Sequence, residues 1–141
     1  MRDRRFIDTN IFVYSFDQRD KSKQKRAREI IRDALSDRNG IISFQVIQEF
    51  INLATKKFEV PFTLKEQLAY LEEVLDPLCV VHSTIELYRK AMRIREETKF
   101  SYYDSLIIAG ALEGGCGTLY SEDLHHGQNA SGVKIINPFK E

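Results

Sequence analysis

The chain predicts an α/β fold, with a mostly parallel five-stranded sheet covered by helices on both faces. Three observations carry that expectation. Short apolar runs alternate with amphipathic helical patterns, as strand–helix–strand crossovers require. One helical stretch, Leu106-Ile107-Ile108-Ala109-Gly110-Ala111-Leu112, is apolar nearly all round, as a helix laid on a sheet would be. Acidic residues follow the first and fourth strand-like runs, where an open parallel sheet gathers its functional groups.

Taken in order, residues 5–8 read as a short buried strand, and Asn10 caps or opens a helix. Residues 22–37 form an amphipathic helix with Ala27, Ile30, Ile31, Ala34 and Leu35 on one stripe. Asn39-Gly40 is a stop signal, with the glycine available for a left-handed cap. Ile41-Ile42-Ser43 is a second strand, and residues 45–58 are helical through Val46, Ile47, Phe50, Leu53, Ala54 and Phe58. Pro61 breaks that pattern. Thr63-Leu64-Lys65-Glu66 has capping-box spacing and starts a helix running to about Leu75, which Asp76-Pro77 ends. A third strand follows over residues 78–82. Ser83-Thr84-Ile85-Glu86 has the same box spacing and opens the next helix. Ser101 to Asp104 resembles a capping box with Asp in place of Glu, ahead of the apolar helix that Gly114-Gly115 terminates. Strands at 117–121 and 133–136 complete the sheet. The polar stretch from Asp123 to Gly132 is expected as a loop over the sheet edge.

The chain of 141 residues reads as one domain, 1–141, with a sizeable core; 43% of its residues are hydrophobic and 30% charged. No apolar run is long enough to span a membrane, and none follows the basic Met1-Arg2-Asp3-Arg4-Arg5 as a secretory signal would; a cytoplasmic location is expected. Cys79 and Cys116 lack metal-site or redox spacing and read as small core residues. Net charge is zero, so composition offers no global argument for a nucleic-acid partner. Between Arg19 and Arg32 seven cations face only Asp20 and Glu29. A solvated helix face explains that run better than a surface tracking phosphates.

Four acids stand where the fold would bring them together: Asp8, Glu49, Asp104 and Asp123. Carboxylates so crowded repel, and a divalent cation relieves the repulsion; next to a nucleic-acid groove, such an ion suggests phosphodiester hydrolysis. Asp8-Thr9-Asn10 contains three good helix caps in a row, more than capping needs, so metal binding leads for Asp8 and ties with capping for Asn10. Glu49 shares a helix face with Gln45, Gln48 and Asn52; taken alone it reads as part of a solvated polar face. Asp104 lies in the first turn of the most apolar helix, where its charge also suits the helix dipole. Tyr102 and Tyr103 beside it could stack on bases or simply pack, and packing is the commoner role. After the fourth strand Asp123 is expected to point inward, Glu122 to face away, and Ser121 to hydrogen-bond a ligating carboxylate. His82, His125 and His126 have no ligand spacing, although a substrate contact from the His125-His126 pair is open. Neither a Ser-His-Asp constellation nor a Gly-rich phosphate loop is present.

These segments resemble the PIN-domain nucleases. Phe6-Ile7-Asp8-Thr9-Asn10-Ile11-Phe12-Val13-Tyr14 is similar to their opening motif. Ser101-Tyr102-Tyr103-Asp104-Ser105-Leu106-Ile107-Ile108-Ala109 resembles the region of their third acid. Leu119-Tyr120-Ser121-Glu122-Asp123-Leu124 resembles the fourth, and Gln48-Glu49-Phe50 fits the second. Size and the Tyr-Tyr-Asp form look most like VapC toxins of VapBC toxin–antitoxin pairs. The resemblance implies a three-layer α/β/α sandwich with a five-stranded parallel sheet, a metal-dependent endoribonuclease, a homodimer, and a small VapB-like antitoxin that blocks the cleft. It carries Asp8, Glu49, Asp104 and Asp123 over as the acidic quartet, with Asn10 and Ser121 as supporting positions. Asp8, Asp104 and Asp123 would hold one or two Mg2+ ions, with Mn2+ able to substitute, and Glu49 would hold the second ion or position the attacking water. A dimer interface is expected on the apolar positions of the 45–75 helices. The alternatives are a housekeeping PIN ribonuclease of RNA maturation and a non-catalytic PIN RNA-binding module. A phosphatase of the haloacid dehalogenase type would want an Asp where Asn10 stands, and a receiver domain would want one where Val81-His82 stands.

Overall fold

The computed structural model describes residues 3–57, 62–124 and 126–140. The expected contributions of Phe58 and Pro61, and His125, lie outside the described residues. The chain alternates β1 (Arg4–Ile7), α1 (Thr9–Tyr14), α2 (Lys21–Asp37), β2 (Gly40–Ser43), α3 (Phe44–Lys57), α4 (Leu64–Tyr70), a π-helical turn (Leu71–Leu75), α5 (Asp76–Leu78), β3 (Cys79–Val81), α6 (Ile85–Thr98), α7 (Tyr102–Glu113), β4 (Cys116–Tyr120), β5 (Asn129–Ala130) and β6 (Val133–Ile136).

The sheet runs β3-β2-β1-β4-β6-β5. All pairings are parallel except β5 with β6. The five expected strands form the parallel part, and a sixth, two-residue strand joins the edge within the stretch expected to be loop. Strand order reverses between β1 and β4. That is the switch point where crossovers leave in opposite directions and a crevice opens at the carboxyl ends.

Side chains alternate across β1. A Cβ placed on Gly110 of α7 would lie 3.3 Å from the Phe6 ring, whereas Ile7 lies near Gly40 and Ala34 of α2. Helix α7 therefore covers one face and α2 the other, giving the three-layer sandwich. The core joins Phe6, Ile7, Ile42, Leu119 and Ile135 of the sheet to Ile108 of α7, all buried. Residues 105–111 of α7 are buried without a break, as the apolar run requires.

Several local devices differ from expectation. Gly40 is a buried strand residue, and it is Arg38 that takes the left-handed conformation, at φ 56°. The glycine is needed for close approach: a Cβ there would meet the Ala34 Cβ at 2.3 Å. Thr84, one residue after Ser83, caps α6 through the Leu87 N–H. The helix from Thr63 does not stop before Pro77. It widens into a π turn, with the Asp76 N–H reaching back to the Leu71 carbonyl, and carries the proline at the start of α5, where the missing N–H is tolerated. Thr63 and Glu66 form the expected capping box. Among the described residues no helix is long and apolar enough to cross a membrane.

Candidate active site

The switch point delivers the acids. Strand β1 is followed directly by Asp8, whose N–H extends the ladder to the Tyr120 carbonyl at 3.0 Å. Its side chain caps α1, accepting from the Thr9 N–H at 2.7 Å on Oδ1. The neighbouring strand β4 gives way to Ser121, which is fully buried and donates from Oγ to Asp8 Oδ2 at 2.8 Å. Both oxygens of Asp8 are thus held. Asp123, two residues on, is exposed and accepts from Asn10 Nδ2 at 2.6 Å on Oδ2. Glu122 turns away from the cleft and pairs with Lys23 and the Tyr14 hydroxyl.

Helix α3 leaves the carboxyl end of β2 and presents Gln45, Glu49 and Asn52 along one stripe to the cleft; Gln48 is exposed and outside it. Phe50, adjacent to Glu49, is buried on the opposite side, stacked on Tyr70 with ring centroids 5.1 Å apart. That packing fixes the rotation of α3. Glu49 is half-buried rather than solvated, and the Thr9 hydroxyl donates to its Oε1 at 2.7 Å. Helix α7 runs against the strands, so its first turn lies at the same edge. Ser101 caps it through the Asp104 N–H at 3.1 Å, leaving the Asp104 carboxylate free to face the cleft.

The four acids and Asn10 line one cleft of about 250 Å3, together with Thr9, Gln45, Asn52, Tyr103 and others. At roughly 30 Å3 per water, this is room for a hydrated ion and part of a ligand. Among the described residues that line it there is no lysine, arginine or histidine. The Asp8 pKa is raised to about 6, mainly by burial and in addition by the charges of Glu49 and Asp123, against the lowering effect of its two hydrogen bonds.

The donor set is carboxylate, amide and hydroxyl oxygen, which suits a hard divalent cation. A cation would also relieve the penalty that ionised Asp8 meets. Among the described residues, no three acidic, histidine or cysteine side chains already form a group able to hold an ion between them. Mg2+ commonly takes only one or two carboxylates and keeps several waters, so the donors match that ion without a closed cage.

Thr9 and Gln45 join the site without a signal of their own in the sequence. Thr9 carries only a capping signature, and its bond to Glu49 spans 40 residues. Gln45 belongs, by spacing, only to the polar helix face of Glu49. His126 accepts the Asn137 N–H at 2.9 Å on Nδ1, and His82 is exposed. The Cys116 thiol is pushed up to about 12 by burial, and the Cys79 thiol is raised for the same reason; both are free.

A family model for the PIN domain matches residues 5–130. No curated protein sequence matches the chain. Solved structures match its fold over nearly the whole length. A toxin–antitoxin complex from Klebsiella pneumoniae aligns at 18% identity and a TM-score of 0.67, covering 94% of this chain and 96% of that one. DNA-bound VapBC from Salmonella typhimurium aligns at 20% identity and 0.65, covering 95% and 97%. A sarcin–ricin-loop-cleaving VapC toxin of Mycobacterium tuberculosis aligns at 18% and 0.61, covering 84% and 89%.

Proposed function

Given that this chain belongs to the PIN domain family, we propose that it is a divalent-metal-dependent endoribonuclease, the toxin of a type II toxin–antitoxin pair acting in the cytoplasm. The observation that carries the nuclease reading is the convergence of Asp8, Glu49, Asp104 and Asp123 on one cleft at the strand-order reversal. The toxin reading rests on the likeness of fold to toxin–antitoxin structures.

Asp8, Asp104 and Asp123 would hold one or two Mg2+ or Mn2+ ions. The chemistry such an ion supplies when bound is a lowered pKa for its water and neutralisation of charge on the phosphoryl oxygens. The chain's own groups do the positioning. Ser121 and the Thr9 N–H fix both oxygens of Asp8. Asn10 orients Asp123 through Oδ2, leaving Oδ1 for a ligand. Thr9 occupies Oε1 of Glu49, so Oε2 remains to accept a hydrogen bond from the attacking water or to complete a second ion's shell.

The partners proposed are an RNA substrate, a small VapB-like antitoxin and a second copy of the chain. Ile51 on α3 and Leu64 and Leu68 on α4 are large apolar side chains exposed on the helices where the dimer contact was expected. The test of the toxin reading is induced expression in a bacterial host. Wild-type protein should arrest growth and Asp104→Asn should not. Unimpaired growth with abundant folded wild type would point instead to a housekeeping ribonuclease.

A further inference from the structure

Above the acids, the cleft has a wall that the hydrolytic step does not use. Tyr103 lines the cleft immediately before Asp104, with 67% of the residue exposed. Tyr102 is placed differently: half-buried, with the Arg95 guanidinium 5.7 Å from its ring centre and meeting Tyr103 edge-to-face. One tyrosine of the pair is a support and the other is presented to solvent.

Beneath Tyr103 lies Gln45, only 3% exposed. Its Nε2 donates to the Tyr103 carbonyl at 3.1 Å, which fixes the amide's orientation because that carbonyl can only accept. Gln45 Oε1 is enclosed within the protein and, like Ser43 Oγ and Ser105 Oγ, has no hydrogen-bond partner among the described residues. An exposed aromatic face, its backbone braced from below by the Gln45 amide, thus stands beside the carboxylates. Asn52 completes this wall.

We propose that Tyr103, braced by Gln45, forms a nucleotide subsite that takes one unpaired base beside the scissile phosphate. The Tyr103 ring stacks on the base, and the Gln45 amide holds that residue's backbone in place through its bond to the Tyr103 carbonyl. The inference rests on the nuclease reading and deepens it by assigning the residue that grips the nucleotide: Tyr103 favours an unpaired base, since a base within a duplex has no free face to offer the ring.

The test is binding, which separates the subsite from the chemistry. In an Asp104→Asn background, a fluorescein-labelled single-stranded RNA of mixed sequence is titrated by anisotropy, with the same RNA annealed to its complement as control. Tyr103→Ala should weaken single-strand binding about 5- to 150-fold, the range that loss of one stacked base gives, while Tyr103→Phe and Tyr103→Trp stay near the parent. Duplex binding should not change with any of the three. In the active enzyme the same Tyr103→Ala substitution should raise KM and leave kcat little altered. Equal single-strand affinity in Tyr103→Ala and parent, or a parent that does not bind single-stranded RNA, overturns the subsite; the former leaves Tyr103 as a protein-contact residue. If wild type cuts no RNA yet the Tyr103 dependence of binding holds, the nuclease reading fails and the subsite stands.

Discussion

Asp8 is the residue on which the electrostatics of the cleft turn. Burial lifts its pKa from 3.8 in the unfolded chain to about 6 in the fold. The native state therefore binds more protons than the unfolded state between those values, and stability must fall as pH rises through that window. In metal-free buffer, thermal unfolding should show stability declining from pH 4 to pH 7. Asp8→Asn should flatten this slope and be more stable than wild type above pH 6, by about 1–3 kcal/mol. A divalent cation should stabilise the wild type at pH 7 and have less effect on the variant. Thr9 gives a second prediction. Thr9→Val keeps the shape but removes the hydroxyl that holds Glu49, and cleavage should drop roughly 10- to 100-fold while the melting temperature hardly changes. At this scale the sequence was legible where a residue's position in its own element decided its direction. Asp8 follows an apolar strand, and Asp123 stands three residues past Tyr120, two beyond Ser121. The Thr9–Glu49 bond and the strut from Gln45 to Tyr103 were not legible, because each depends on the rotation of α3 against a distant element, and that rotation is set by the packing of Phe50 on Tyr70.

The elements were readable wherever their ends carry their own hydrogen bonds. Thr63 and Ser101 cap their helices through the N–H groups three residues on, as their spacing implied. Readability failed where a tertiary contact overrides a local signal. Pro77 read as a stop because the local rule ignores the π turn before it, and β5 escaped notice because two residues carry no periodicity. Gly40 read as a helix cap, whereas what requires glycine there is the approach of α2. Gly40→Ala should accordingly destabilise the fold by about 1–3 kcal/mol in urea titration, since neither the Ala34 Cβ nor the backbone behind it can swing aside. An unchanged midpoint would show that α2 sits further from β2 than the structure has it.

For the molecule as a whole, charge is segregated rather than absent. The cleft collects carboxylates, while Arg19, Lys23, Arg26 and Arg28 of the basic run are held by Asp17, Glu122, Glu29 and the Ser15 carbonyl. Intramolecular pairing of these cations agrees with a mostly structural α2 face. The exposed apolar side chains lie elsewhere, and they give the prediction proper to this scale. If α3 and α4 carry the homodimer contact, Leu64→Asp with Leu68→Asp should convert a dimer to a folded monomer in light scattering; a dimer that survives places the contact on another surface. The central claim, that the four carboxylates make a metal-dependent ribonuclease site, is tested most directly by one measurement. Purified wild type and the nearly isosteric Asp104→Asn are incubated with a mixed RNA pool in Mg2+, in Mn2+ and in EDTA. Cleavage by wild type with either metal, abolished by EDTA and lowered by several orders of magnitude in Asp104→Asn, is the predicted result. Cleavage that persists in EDTA, or an Asp104→Asn protein as fast as wild type, would contradict it.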